Sequence, residues 1–310
     1  FTASTTGAYS LGVLSNGTVL VGYWSSVNQF TSAGVSTGVS STYGGGAQSI
    51  QVTSGDQFYV GGGYPSGYLI RFNSNGSKDT AFTTPAAAST IRYQDAIRVD
   101  SGGNVITVNA SSPYLYKFSS SGVKDAAFDT NVKAAMLGSE GYAIELQSDG
   151  KILVGTNGAL KRYNTNGTLD ATLASGLGYV RSIVQLSDGS IVVASANSPY
   201  VRKYSSSGTL DSTFTTNMGS TFNNGAQVIR VDGTGRLVVG GYFSGSVKRL
   251  SASGIPDTTF NGYAASSINN NVNSLAIQSD GNILVAYSGG VKRLLGSNIA
   301  PNTPAAPTAV

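Results

Sequence analysis

Gln147 to Leu173 reads QSDGKILVGTNGALKRYNTNGTLDATL, and the two frames inside it decide the fold. The later frame is a basic residue, an aromatic or Leu, three small polar residues, Gly, two variable positions, Asp, two small residues, then Phe or Leu. Besides Arg162 to Leu173, it occurs without a gap at Arg71 to Phe82 (RFNSNGSKDTAF), Lys117 to Phe128, Lys203 to Phe214 and Arg249 to Phe260. Successive copies start 46, 45, 41 and 46 residues apart. The earlier frame alternates apolar and polar residues up to an Asp-Gly or Asn-Gly pair and continues in a β-branched run. Such a pair accepts the positive φ of a tight hairpin turn at little cost. Seven of these hairpins follow one another, with turns near 16–17, 55–56, 102–103, 149–150, 188–189, 234–235 and 280–281.

A period in the low to middle forties with about four short strands per unit describes a propeller blade. The expected fold is all-β: a seven-bladed β-propeller of four-stranded antiparallel blades over residues 1–298. Phe1-Thr2 repeats the ending seen at Phe82-Thr83 and Phe214-Thr215, whereas the seventh repeat stops after Leu294 without one. The N-terminal strand is therefore expected to complete the last blade and close the ring, leaving no open edge. The first repeat departs most from the frame, with Thr37 in place of Asp and Ser40 in place of Phe. Residues 299–310, rich in Pro and Ala, are expected to form a linker to a further module.

Composition removes several chemistries. There is no cysteine and no histidine, which excludes disulfides, thiolate chemistry and the commonest general base and metal ligand. Charged residues make up 11% of the chain, and the formal net charge is +4 without a dense basic patch, which argues against nucleic acid. No apolar run is long enough to cross a bilayer.

The turn aspartates Asp79, Asp125, Asp170, Asp211 and Asp257 each stand alone between small residues, unlike the closely spaced oxygens of a calcium loop. They are expected to serve the repeat itself, accepting backbone N–H groups or pairing with the basic residue of the third strand. No metal, cofactor or catalytic residue is expected, and the chain is read as not an enzyme. Asp95 and Glu140, in the links entering adjacent repeats, are the least implausible carboxylate pair for glycoside hydrolysis. Aromatic residues cluster where second strands turn into third strands: Tyr23, Trp24, Tyr64, Tyr68, Tyr114, Tyr200, Tyr242 and Phe243. Rings among Ser, Asn and Gly suit a recognition surface for sugar or protein.

The joint frame, carried best by Gln147 to Gly155 and Arg162 to Leu173, resembles the delta-60 repeat, a bacterial β-propeller repeat also found in some phage proteins. The resemblance covers residues 1–295 and implies a segment of a large secreted or surface protein. It carries no catalytic residues. The expected function is an extracellular or virion-borne recognition module of an adhesin or tail-fibre-like protein at a bacterial surface. Its partners would be a surface polysaccharide or protein receptor and other modules of the same parent. The alternatives are a structural spacer and, less favoured, a polysaccharide-degrading enzyme.

Overall fold

The computed structural model describes residues 2–3, 7–43, 45–63, 67–83, 91, 95–109, 112, 114–135, 140–260, 268 and 271–296. The linker expected at 299–310 lies outside them.

Short antiparallel strands account for nearly all regular structure. After β1 (Thr2–Ala3), the first repeat holds β2 (Ser10–Val13), β3 (Val19–Gly22), β4 (Ser26–Phe30) and β5 (Ser36–Thr42). The second holds β6 (Ala47–Val52), β7 (Phe58–Gly62) and β8 (Tyr68–Phe72). The third holds β9 (Ile97–Val99), β10 (Val105–Val108) and β11 (Leu115–Phe118), followed by helix α1 (Ala126–Ala134). β12 (Gly141–Leu146), β13 (Ile152–Tyr163) and β14 (Leu169–Gln185) carry the fourth repeat into the fifth. The fifth continues through β15 (Ile191–Ser195), β16 (Val201–Tyr204) and helix α2 (Ser212–Met218). The sixth has β17 (Ala226–Val231), β18 (Leu237–Gly241) and β19 (Val247–Leu250); the seventh has β20 (Val272–Ile277), β21 (Ile283–Tyr287) and β22 (Gly290–Leu294).

Hydrogen bonding divides the described strands into six sheets, because β14 pairs with β13 through its first half and with β15 through its second. Three sheets have three strands, two have four and one has five. Thr2 and Ala3 pair with Lys292 and Val291, which places β1 at the edge of the sheet β22-β21-β20. The hairpin turns follow one pattern: the glycine at Gly17, Gly103, Gly150, Gly189, Gly235 and Gly281 sits near φ +80°. In the second repeat Asp56 takes that conformation, at φ 60°, and its carboxylate receives Ser15 N at 2.7 Å and Ser15 Oγ at 2.5 Å from the neighbouring hairpin.

The later frame explains how one repeat seats the next. At Gly167, Gly208 and Gly254 its glycine lies on the final Phe or Leu of the preceding copy, and Gly122 lies on Thr83, one residue beyond it. A Cβ on Gly254 would stand 2.6 Å from Phe214 O, and one on Gly167 would stand 2.8 Å from Phe128 O. The basic residue reaches the other way, into the turn of the following repeat. Arg71 donates to Ser120 O (2.8 Å), Lys117 to Thr165 O (3.5 Å), Arg162 to Ser206 O (2.7 Å) and Lys203 to Ala252 O (3.2 Å). Arg249 donates to Gly296 O (2.5 Å) and Arg293 to Ser32 O of the first repeat (3.1 Å). Gln29 serves the first repeat through Ser74 O at 2.9 Å.

The aspartates of that frame divide into two groups. Asp79, Asp170 and Asp257 pair with Arg71, Arg162 and Arg249 at 2.7, 2.5 and 2.7 Å. Asp125 and Asp211, whose frames carry Lys117 and Lys203 in place of Arg, accept Phe128 N and Phe214 N and cap α1 and α2. Helices thus stand after Asp125 and Asp211, where the sequence placed fourth strands. The apolar faces of neighbouring sheets bury Val, Ile, Leu and the repeat Phe residues between them.

Candidate functional site

The first strands of successive repeats lie side by side: β2 by β6, β6 by β9, β9 by β12, β12 by β14, β14 by β17, β17 by β20, and β20 by β2. A cavity of about 370 Å³ is lined by one residue from the same level of each: Gly12, Gln51, Arg98, Glu145, Val184, Arg230 and Ala276. Four are polar, and a carboxylate from outside the strands joins them. Asp95, 1% exposed, receives Arg230 Nη2 at 2.8 Å and Nη1 at 3.1 Å, together with the Ser182 hydroxyl. Arg98 lies 3.9 Å from Asp95 and 2.9 Å from Glu145. Burial alone would raise the Asp95 carboxyl, but the charges of Arg230 and then Arg98 outweigh it and hold the group below its ordinary value. The cluster ties residues 135 positions apart and leaves its charges mutually satisfied. Its geometry suits a brace across the cavity.

Asp95 therefore meets Glu145 through Arg98; Glu140, its expected partner, instead accepts the Tyr142 hydroxyl at 3.2 Å. Among the described residues no group of three or more acidic, His or Cys side chains is placed to hold a metal.

Asp95 occupies a place that recurs five residues before the hairpin-turn acceptor in every repeat. The others there are Tyr9, Gln48, Tyr142, Arg181, Gln227 and Asn273. At Gln48, Tyr142, Arg181, Gln227 and Asn273 the strand register shifts by a bulge, which re-aims the side chain. All seven are polar or aromatic and they differ from repeat to repeat, whereas the apolar positions around them repeat closely. The place lies at the end of the first strands that faces the turns between second and third strands.

At those turns the sequence-predicted aromatics separate. Trp24 is 55% exposed, with its ring centroid 6.4 Å from that of Tyr9, and Tyr242 is 42% exposed. Tyr114 and Tyr200 adopt positive φ (69° and 66°) and lean partly buried on the core. Tyr23, Tyr68 and Phe243 are corrected: they are buried and present no face to a ligand. Tyr68 donates to Gly45 O and Gly46 O at 3.0 and 2.8 Å, and Tyr23 packs in the core between the first and last sheets. Phe243, 2% exposed, lies edge-on to Phe222 and beside the Lys248 ammonium. Tyr64 lies outside the described residues. One exposed ring escaped the sequence reading: Tyr179, 39% exposed, whose carbonyl accepts Ala196 N. Its ring lies 5.0 Å from that of Tyr142 and 5.4 Å from the Arg181 guanidinium.

Four segments, residues 54–82, 147–173, 186–214 and 233–260, match the family model described as a domain of unknown function (DUF5122) beta-propeller. Each match runs from a hairpin turn to the end of the following frame, so the chain is a repeat-built β-propeller. No curated protein matches the chain. Among solved structures, a streptogramin B lyase is similar at TM-score 0.69 and 13% identity over 95% of both chains. Virginiamycin B lyase from Staphylococcus aureus is similar at TM-score 0.70 and 13% identity, over 95% of this chain and 97% of that one. An extracellular domain described as that of a hybrid two-component system from B. thetaiotaomicron is similar at TM-score 0.68 and 13% identity, over 95% of this chain and 40% of that one.

At such identities the likeness is one of fold. It nonetheless corrects one expectation: the reading of the chain as not an enzyme is withdrawn, because propellers similar to it from end to end include lyases. No helix among the described residues is long and apolar enough to cross a membrane.

Proposed function

We propose that the chain is a closed, seven-bladed propeller acting outside the cell as a recognition module that grips a surface glycan by its aromatic turn face. Seven blades are supported by the seven first strands around one cavity. Closure is supported by the Arg293–Ser32 bond, the β2–β20 contact and the β1–β22 pairing. The extracellular setting is supported by the resemblance of the repeat and by the extracellular domains among the similar folds. Recognition rests on one observation: Trp24, Tyr179 and Tyr242 are the exposed aromatic residues among those described, and all three lie at the same end of the second strands. Rigid rings of this kind stack on sugar faces at small entropic cost.

The test is saturable binding of the purified, labelled chain to intact bacterial cells and to their extracted polysaccharides. Trp24→Ala and Tyr242→Ala should each weaken binding about tenfold, the loss of one aromatic stack of ~1–1.5 kcal/mol. If the folded wild type shows no binding, recognition fails and a spacer or assembly role remains.

Catalysis on the same face is the second reading, favoured by the Glu140–Tyr142 hydrogen bond beside Tyr179 and Arg181. One similar structure is a virginiamycin B lyase described as catalytically inactive after a His-to-Ala change. This chain has no histidine, so a carboxylate or phenol would have to move the proton. Mass spectrometry of the incubated polysaccharides checks it: products that vanish with Glu140→Gln support turnover.

A further inference from the structure

We infer that the face over β12 and β14 holds a subsite for a carboxylate-bearing sugar, with the Arg181 guanidinium as its anion receptor and Tyr179 as its stacking platform. This rests on the glycan-recognition reading and names the class of glycan.

Arg181 is the exception among the arginines of the described residues. Each of the others donates at least one hydrogen bond to a carboxylate or a carbonyl. Arg181 forms neither an ion pair nor a hydrogen bond among the described residues, and its Nε is buried without a partner. Its two terminal nitrogens make no hydrogen bond either and are not buried with Nε, and a guanidinium fork of this kind matches a carboxylate with two parallel bonds. The cation is held in place by lying 5.4 Å over the Tyr179 ring. Tyr142, tilted against that ring at 5.0 Å, fixes it in turn.

The surrounding groups are those a pyranose needs, and they are fixed beforehand. The Asn197 side chain lies against the backbone of Gly178, where a Cβ would stand 2.7 Å from its carboxamide. Its loop is braced by Arg202, which donates to Ser195 Oγ at 2.8 Å and to Asn197 O at 3.2 Å. Asn197 is exposed and packs on Gly178, the residue before Tyr179, so its amide is at hand for a sugar hydroxyl, while the buried Tyr142 keeps its hydroxyl on Glu140 and backs the Tyr179 ring. A site organised before binding loses little entropy when the ligand arrives. The re-aimed bulge position accounts for the placement, since a regular strand would direct residue 181 to the other side of the sheet.

The experiment compares the full chain on immobilised polygalacturonate and on the same polymer after reduction of its carboxyl groups. Wild type should bind the acidic polymer at least tenfold more tightly, and the preference should fade at high salt. Arg181→Gln should abolish the preference with an unchanged melting temperature. Arg181→Lys, which keeps the charge and loses the fork, should retain part of it and guards against a fold defect in the first variant. Equal binding of the two polymers, or a preference that survives Arg181→Gln, overturns the inference and leaves glycan recognition standing. Binding to neither polymer also overturns the inference; recognition itself falls only if cells and extracted polysaccharides are not bound either.

Discussion

Asp95 and Arg181 stand at the same place in two repeats, yet one is saturated with hydrogen bonds and the other, over the Tyr179 ring, makes none among the described residues. The contrast separates a bracing residue from a receiving one. Removing the Asp95 charge strands Arg230 beside the cavity and leaves Arg98 to Glu145 alone, so Asp95→Asn should cost about 3 kcal/mol, read as a lower urea midpoint at unchanged slope. Ser182→Ala, which removes one hydrogen bond to that carboxylate, should cost about 1 kcal/mol. Acid should act through the same groups. At Asp257 burial acts upward, but the Thr259 hydroxyl and Arg249 prevail and lower the carboxyl to about 2. Asp95 is likewise lowered. A carboxyl depressed in the folded state contributes its full stability above the ordinary value of 3.8 and loses it as pH falls through the folded value. The melting temperature should therefore drop between about pH 4 and pH 2, and Asp257→Asn should flatten that drop.

Between neighbouring elements, stability should depend on contacts from one repeat to the next. Gly254→Ala would force a Cβ against Phe214 O at φ 90°, and should destabilise by 2 kcal/mol or more, about the sum of a left-handed residue and an overpacked contact, measured by urea unfolding. Asp125→Ala should cost about 1 kcal/mol through loss of the α1 cap. How much of this was legible follows from its physical origin. The hairpins were readable because their turns demand residues that tolerate positive φ. The Gly and the Phe of the later frame were read as recurring, but their contact joins separate copies, and a period does not say which faces meet. The helices were hidden because DAAF and DSTF share the Asp-x-x-Phe spacing of DTTF, and the same Asp accepts the N–H three residues on in all three. Trp24 and Tyr242 were found from turn composition. Tyr68 and Phe243 share that composition, and only the surrounding packing shows that they are covered. Tyr179 and Arg181 were missed because a bulge breaks the alternation on which strand reading depends.

For the whole molecule, the seating bonds from Arg71 to Arg293 and the β1–β22 pairing act together, so damage at one junction should be felt throughout. Removing residues 1–3 would leave the outer edge of β22 unpaired. The shortened chain should melt at lower temperature and self-associate in light scattering, as an uncovered edge recruits another strand. Thr2 pairs with Lys292, and the ribosome makes these two residues far apart in time. At roughly 5–20 residues per second, the partner emerges on the order of fifteen seconds to a minute after the strand that awaits it. Until then β1 lacks the strand it pairs with, and β2 lacks its neighbour β20. A chain that stops before β22 therefore leaves β1 without the strand it pairs with and exposes a sheet edge that the longer chain covers.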